Sequence, residues 1–283
     1  MQKILKVCLF SLIPTILLWV PFAFRIPKFW NIPLPTNGMA TIVSNYDGPL
    51  YLVAAKTLYN KNDIKINYQF PLSTEYYTAH FPLFPLMIRT LGTFTNYPYA
   101  MLLSTIISSI LAIYFFEKFI SRFVGAKEAL FLTFVFSIFP ARWLIVRSVG
   151  SADPLFIASI IASLYFFKSK KYLWAGIWGA VAQITKSPAI LLFGSYLIYL
   201  LLPQFKHKFS EIRKAWPILF ILLALLGVFT FYAIATGDFY AYFHSGDNIH
   251  LFFPPFQIFN YSAPWVGTFW LEEIIFIYII GAL

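Results

Sequence analysis

Acidic side chains are scarce in this sequence, eleven among 283 residues, so the placement of each can be weighed individually. Glu75 and Asp63 stand in polar surroundings, and Glu117, Glu128 and Glu211 flank basic clusters where solvated pairing accounts for them. Three others border long apolar runs. Asp47 lies in Asn45-Tyr46-Asp47-Gly48-Pro49-Leu50-Tyr51, Asp153 in Ser151-Ala152-Asp153-Pro154, and Asp238 in Thr236-Gly237-Asp238-Phe239. A carboxylate in such a place can accept a proton from a substrate hydroxyl, orient a cation, or cap a helix. Asp153 is a good example of the capping alternative, because Pro154 suits the first helical turn. Arg142, Arg147 and Lys186 also border apolar runs, where they either snorkel or bind an anionic group at a membrane surface. His80 opens the apolar stretch His80-Phe81-Pro82 and His244 follows Tyr242-Phe243, so either could meet a substrate or simply pack among aromatics. No metal-ligand spacing connects His80, His244 and His250, and no metal or other cofactor is expected.

The elements that must position these groups are membrane spans. Hydrophobic residues make up 60% of the chain and charged residues only 11%, too few to cover a soluble domain of this length. The apolar residues come in long runs, not amphipathic stripes, which predicts an all-α, polytopic transmembrane bundle. Expected spans are Ile4–Phe24, Pro98–Phe116, Glu128–Leu144, Pro154–Phe167, Tyr172–Thr185, Ala189–Leu202 and Trp216–Ala235, with a last apolar stretch at Phe269–Leu283. Lys3 and Lys6 precede the first run, but no small-residue cleavage site follows it, so it reads as an uncleaved span. Cys8, within that run, is the lone cysteine, and no intrachain disulfide is possible.

Net charge is +10, which in a soluble protein would suggest nucleic acid. Here the cations cluster between apolar runs, so membrane lipids are the expected partner and nucleic acid is not. Lys118, Arg122 and Lys127, then Lys168, Lys170 and Lys171, then Lys206, Lys208, Arg213 and Lys214 fall on alternate connections. The opposite connections carry only Arg142, Arg147 and Lys186. This asymmetry predicts a cytoplasmic N-terminus. It also makes residues 172–202 a hairpin turning at Thr185-Lys186-Ser187-Pro188, where proline disfavours helix at the preceding residue. Two long connections, 25–97 and 236–268, then share the outer face with Asp47, Asp153 and Asp238. Both are rich in aromatics and proline, and short interfacial helices are expected at Gly48–Tyr59 and Phe84–Gly92.

Phosphate-binding, dinucleotide-binding and serine-hydrolase signatures are all missing from the sequence. The expected spans hold almost no ionisable residues, which argues against the alternative of a transporter or flippase for a lipid-linked or small substrate. Polar groups gathered at one surface suit an enzyme working at the membrane interface.

Four segments, in order, resemble the polytopic glycosyltransferases of the GT-C superfamily that use polyprenyl-phosphate sugars, closest to the PIG-V-type mannosyltransferases. Tyr46-Asp47-Gly48-Pro49-Leu50-Tyr51 is similar to that family's Trp-Asp-Gly-x-Trp-Tyr element. His80-Phe81-Pro82-Leu83-Phe84-Pro85-Leu86 is similar to Phe-Phe-Pro-Leu-Tyr-Pro, and Ser151-Ala152-Asp153-Pro154-Leu155-Phe156 to Tyr-Thr-Glu-Ser-Leu-Phe. Thr185-Lys186-Ser187 resembles a Thr-Arg-Ser/Pro break after an Ala-Gly-x-x-Gly-Ala helix, here Ala175–Ala180. Gly237-Asp238-Phe239 is a fifth, looser likeness to Gly-Asp-Pro. Tyr46, Asp153 and Lys186 depart from the family's Trp, Glu and Arg.

The resemblance covers residues 1–270 and implies one membrane domain across 1–283, C-terminally short because members extend further. It implies inverting transfer of a sugar, mannose by the nearest likeness, from a lipid-linked donor to a glycan or glycolipid acceptor at the outer face. Asp47 would be the general base; Arg147, Lys186 or both would stabilise the departing lipid phosphate. Asp153 would orient a cation or the substrate, and His80 and Asp238 would line the same site. The short, unelaborated chain suggests a bacterial plasma membrane.

Overall fold

A computed structural model of the chain describes residues 2–29, 31–69, 73–202 and 209–245. The stretch Phe269–Leu283, most of the second long connection, His250, Lys206 and Lys208 lie outside the described residues. The described chain is mostly helical. Helix α1 (Gln2–Ala23) leads through a minimal antiparallel hairpin of β1 (Lys28–Phe29) and β2 (Ile32–Pro33), a small departure from the all-α expectation. Then come α2 (Met39–Val43), α3 (Gly48–Thr57) and α4 (Lys61–Asn67), a 3₁₀ turn at Thr74–Ala79, and α5 (Leu83–Leu91). The rest comprises α6 (Tyr97–Ile120), α7 (Ala126–Ile138), α8 (Ala141–Val146), α9 (Asp153–Lys168), α10 (Tyr172–Thr185), α11 (Ile190–Leu201), α12 (Phe209–Lys214) and α13 (Phe220–Thr236).

Among the described residues three helical segments are long and apolar enough to cross a membrane: Ile4–Ala23, Tyr97–Ile120 and Trp216–Thr236. Their starts and stops have local causes. Asn96 caps α6 by accepting from the Tyr99 amide at 3.0 Å, with Pro98 in the first turn. Gly237, at φ 76°, closes α13 in the left-handed conformation that glycine adopts without a steric cost. Helices α9 and α10 have 16 and 14 residues. At 1.5 Å per residue they reach about 21–24 Å, short of a ~30 Å hydrocarbon core, so seven full-length spans are not seen among the described residues. The hairpin expected at 172–202 does form. Tyr196 and Tyr199, on α11, lie against Phe167 in the last turn of α9, with the Tyr196 ring stacked on Phe167 at 3.9 Å, and Tyr196 shares a buried cluster with Tyr172 at the start of α10.

Close approach of α10 to the start of α13 requires small residues. A Cβ on Gly176 would sit 2.0 Å from the Pro217 carbonyl oxygen, and one on Gly179 would sit 2.7 Å from Ile221. The helix expected at Gly48–Tyr59 is observed as α3, but protein rather than lipid covers it. Leu50, Tyr51, Val53, Ala54 and Ala55 are buried, packing on α5, α6 and α13. Its interfacial placement is therefore corrected. Helix α5 matches the second expected element within a residue.

The expected span Glu128–Leu144 does not exist as one helix. Phe139 is extended (φ −125°, ψ 139°), the Phe139–Pro140 peptide is cis, and α7 and α8 are separate. Proline has no amide hydrogen and disfavours helix at the residue before it. Its neighbour Arg147 uses what this break leaves open. The Arg147 Nε donates to the Ser137 carbonyl at 2.8 Å, an acceptor in the last turn of α7. Nη1 donates to the Ser11 carbonyl at 2.9 Å and to Thr15 Oγ1 at 3.2 Å. Nη2 reaches the Phe10 carbonyl at 3.5 Å, and Pro14, four residues on, has no N–H to offer that oxygen. Arg147 is wholly buried, joining α1 to α7, and is not available to a substrate.

Candidate active site

Four of the six residues expected at the site come together at one end of the bundle. Asp47 precedes α3 in a tight turn. Tyr46 has φ 49°, and a Cβ on Gly48 would lie 2.3 Å from the Val43 carbonyl oxygen. Although Asp47 occupies the N-cap position, its side chain makes no capping hydrogen bond and remains 57% exposed. The carboxylate is aimed elsewhere: Oδ2 lies 3.5 Å from His80 Nε2. The hydrogen bond from His80 is the leading cause that holds the Asp47 carboxyl below its ordinary range; burial opposes it, and the Lys186 charge assists.

His80 is 8% exposed, and its ring is fixed on several sides. Tyr51 meets it edge-on at 5.0 Å. The His80 carbonyl oxygen accepts from Tyr59 Oη at 2.7 Å and from Tyr232 Oη at 3.1 Å, so the turn after α3 and helix α13 grip the same backbone atom. Nδ1 is buried without a partner among the described residues. With Nε2 facing a carboxylate, the arrangement assigns the neutral ring its proton on Nε2.

Asp153 begins α9 with no capping bond of its own. Ser151 Oγ donates to its Oδ2 at 3.1 Å and accepts from its amide at 3.1 Å. Oδ1 is paired with the Lys186 ammonium. Lys186 is extended (φ −151°, ψ 143°) at the break between α10 and the following 3₁₀ turn, which lets it turn back over α9. About a third of each side chain is exposed, so the pair keeps a face toward incoming ligand. Tyr51 completes the group. Burial first, then the charges of Asp47 and Asp153, push its phenol well above the ordinary value, so it stays a neutral donor.

Asp238 does not join this cluster in any contact among the described residues. Its Oδ2 binds His244 Nδ1 at 2.7 Å and its Oδ1 accepts from the Tyr240 amide at 2.9 Å. The segment carrying it is nonetheless fastened nearby. Thr78 Oγ1 donates to the Ala241 carbonyl at 2.7 Å, and Tyr242 Oη donates to Ser187 Oγ at 2.7 Å. Arg147, as described above, is committed to backbone carbonyls.

Sequence reasoning assigned no role to Tyr51, although its place four residues after Asp47 put both on one helical face. Ser151 had a signal too, in the Ser-x-Asp spacing that lets a hydroxyl bond a nearby carboxylate. Tyr59 and Tyr232 had none, in a chain with 21% aromatic residues.

An apolar groove of about 520 Å³ runs between α5, α10 and α13. Pro82 and Ile184 line it, and each stands two residues from a cluster member, His80 and Lys186 respectively. Gly227, on its α13 wall, has open space where a side chain would project. No known family model matches the chain, nor does any curated protein or solved structure.

Proposed function

We propose that this protein is a polytopic membrane glycosyltransferase of GT-C type that moves a sugar, with inversion, from a polyprenyl-phosphate donor to an acceptor hydroxyl. The observation that carries this is the convergence of Asp47, His80, Asp153 and Lys186 beside an apolar groove. A carboxylate, a cation and a lipid-sized apolar channel are the three things such a reaction needs. Asp47 takes the proton of the acceptor hydroxyl as its oxygen bonds to the anomeric carbon. The bond from that carbon to the phosphate oxygen breaks, and its electron pair leaves with the lipid phosphate. Lys186, steadied by Asp153, stabilises the charge developing on that phosphate. The donor's prenyl chain occupies the groove between α5, α10 and α13.

In this reading the chain is a multi-pass protein of a bacterial plasma membrane, with its N-terminus cytoplasmic and the cluster on the outer face. The short helices α9 and α10 share that bundle with the longer ones, where protein covers much of their surface. The sugar is mannose by the nearest likeness, and the acceptor is a glycan or glycolipid.

Two variants test the proposal with purified protein and a panel of polyprenyl-phosphate sugars. Asp47→Asn preserves insertion and folding and lowers transfer by about 10²–10⁴-fold. Parental rates in that variant would remove Asp47 from the mechanism. Gly227→Leu, which projects into the groove, raises KM for long-chain donors while leaving a short-chain donor unaffected. Equal effects on both donors would mean the groove does not hold the lipid.

A further inference from the structure

Past the end of α13 the chain makes a turn whose two sides differ in what they touch. On the inner side, Thr78 Oγ1 donates to the Ala241 carbonyl at 2.7 Å and Tyr242 Oη donates to Ser187 Oγ at 2.7 Å. The Tyr242 ring also meets Phe81 edge-on at 5.1 Å. Thr78 and Phe81 flank His80, and Ser187 follows Lys186, so the turn is fastened to both segments beside the candidate site. The outer side carries Asp238, Tyr240 and His244. Tyr240 is 57% exposed and the His244 side chain 61%.

The Asp238–His244 pair is held in one arrangement by the backbone of its own turn. Asp238 Oδ2 meets His244 Nδ1 at 2.7 Å, while Oδ1 accepts from the Tyr240 amide at 2.9 Å. The His244 amide donates to the Tyr240 carbonyl at 3.2 Å, which sets those two side chains one helical turn apart on one side. Lys61, whose charge reaches Asp238, is itself paired with Glu75 at 3.1 Å. An ionised carboxylate only accepts hydrogen bonds. In the neutral imidazole the proton therefore sits on Nδ1, and Nε2 keeps its lone pair. Among the described residues Nε2 has no hydrogen-bond partner. The turn thus offers an open acceptor of fixed polarity beside an exposed aromatic ring.

We propose that this turn is a carbohydrate subsite. One sugar hydroxyl donates to His244 Nε2, and the sugar's C–H face lies on the electron-rich face of Tyr240. Asp238 acts through His244 and is a positioning residue. A phosphate is the wrong occupant, because its oxygens would meet the Nε2 lone pair with lone pairs of their own. The inference rests on the glycosyltransferase function proposed above in taking the sugar to belong to the acceptor. It would be a unit beside the one whose hydroxyl gives its proton to Asp47, so the acceptor is a glycan longer than one sugar.

The test uses the full chain in lipid nanodiscs and reads binding by saturation-transfer NMR, beside thermal unfolding. The probes are the methyl glycosides of mannose, glucose and galactose, and analogues of each with one hydroxyl replaced by fluorine, which cannot donate. At one ring position of the preferred glycoside, fluorine should weaken binding to the parent by about 2–10-fold, the worth of one hydrogen bond. Asp238→Asn reverses the polarity of the pair. The Tyr240 amide retains the new side chain's oxygen, so its NH₂ faces Nδ1, the ring proton moves to Nε2, and Nε2 becomes a donor. Hydroxyl and fluorine should then bind alike, with the unfolding temperature unchanged. His244→Ala should lose the same discrimination, and Tyr240→Ala should weaken every glycoside. A pair that serves only the fold would instead lower the unfolding temperature in the first two variants and leave the discrimination in place. That result overturns the proposal, and so does a parent that binds none of the glycosides. A transfer assay separates this subsite from the transferase function. Transfer by a parent that binds hydroxyl and fluorine alike sinks the subsite alone. Discrimination without transfer supports the subsite and counts against the transferase.

Discussion

Replacing Tyr59 and Tyr232 with phenylalanine, singly and together, probes how the His80 backbone is held. Both hydroxyls donate to the His80 carbonyl oxygen, at 2.7 and 3.1 Å, and both tyrosines are buried. Losing one donor removes one hydrogen bond, a net cost of about 0.5–1.5 kcal/mol, and leaves the oxygen with its other partner. Losing both strands the acceptor in an apolar setting, where desolvation without a partner costs about 1–3 kcal/mol beyond the two bonds. The double variant should therefore be destabilised by more than the sum of the singles, with a coupling of about 1–3 kcal/mol. In thermal unfolding of a chain this size, 1 kcal/mol corresponds to a Tm change of about 2–4 °C. Each single variant then loses a few degrees, and the double variant loses clearly more than both together. Under the proposed function, transfer should fall along with it, because His80 carries the hydrogen bond to Asp47. Additive or sub-additive losses would refute the shared-acceptor account, whatever the individual values.

Other outcomes follow from the same geometry. His80→Phe keeps an aromatic ring against Tyr51 but removes Nε2. Since that hydrogen bond lowers the Asp47 pKa, activity that is present above this pKa and lost as pH falls through it should show an acid limb moved to higher pH. An unchanged acid limb in the pH–rate profile would free Asp47 from His80. Arg147→Lys keeps the charge but replaces a spread fork with one ammonium, which cannot serve Ser137 and Ser11 as the guanidinium does. Losing one such charge-assisted bond should cost about 1.5–3 kcal/mol of stability, read by thermal unfolding, with KM for the donor unchanged. A normal melting temperature with a raised KM would return Arg147 to the substrate site.

What could be read in advance was set by how local the cause is. The break at Thr185–Pro188 and the end of α10 follow from neighbouring residues, and both fell where expected. Three of the segments that resemble the glycosyltransferases supplied Asp47, His80 and Asp153 and the fourth supplied Lys186, and these are the groups that meet. The split of Glu128–Leu144 had a local cause as well, in Pro140, but average hydropathy across the run conceals a single missing donor. Arg147 was misplaced for a different reason. A cation at the edge of an apolar run looks the same whether it faces a phosphate or a backbone oxygen. Pro14 and Pro140, each depriving helical carbonyls of an amide, were the signs that protein acceptors would need it. The cover over α3 was illegible because it depends on Val228 and Tyr232, far along the chain.

The long reach of Arg147 also bears on how the chain is made. Its Nη1 closes on the Ser11 carbonyl across 136 residues of sequence. Ribosomes add about 5–20 residues per second, so α1 emerges roughly 7–27 s before its arginine exists. Through that interval the Phe10 carbonyl, which Pro14 deprives of an amide, lacks its Arg147 partner. An insertase or another early helix that shields this face would shorten the exposure. Slowed elongation anywhere between Pro14 and Arg147 should therefore increase degradation of the nascent chain, and changes in elongation after Arg147 should not.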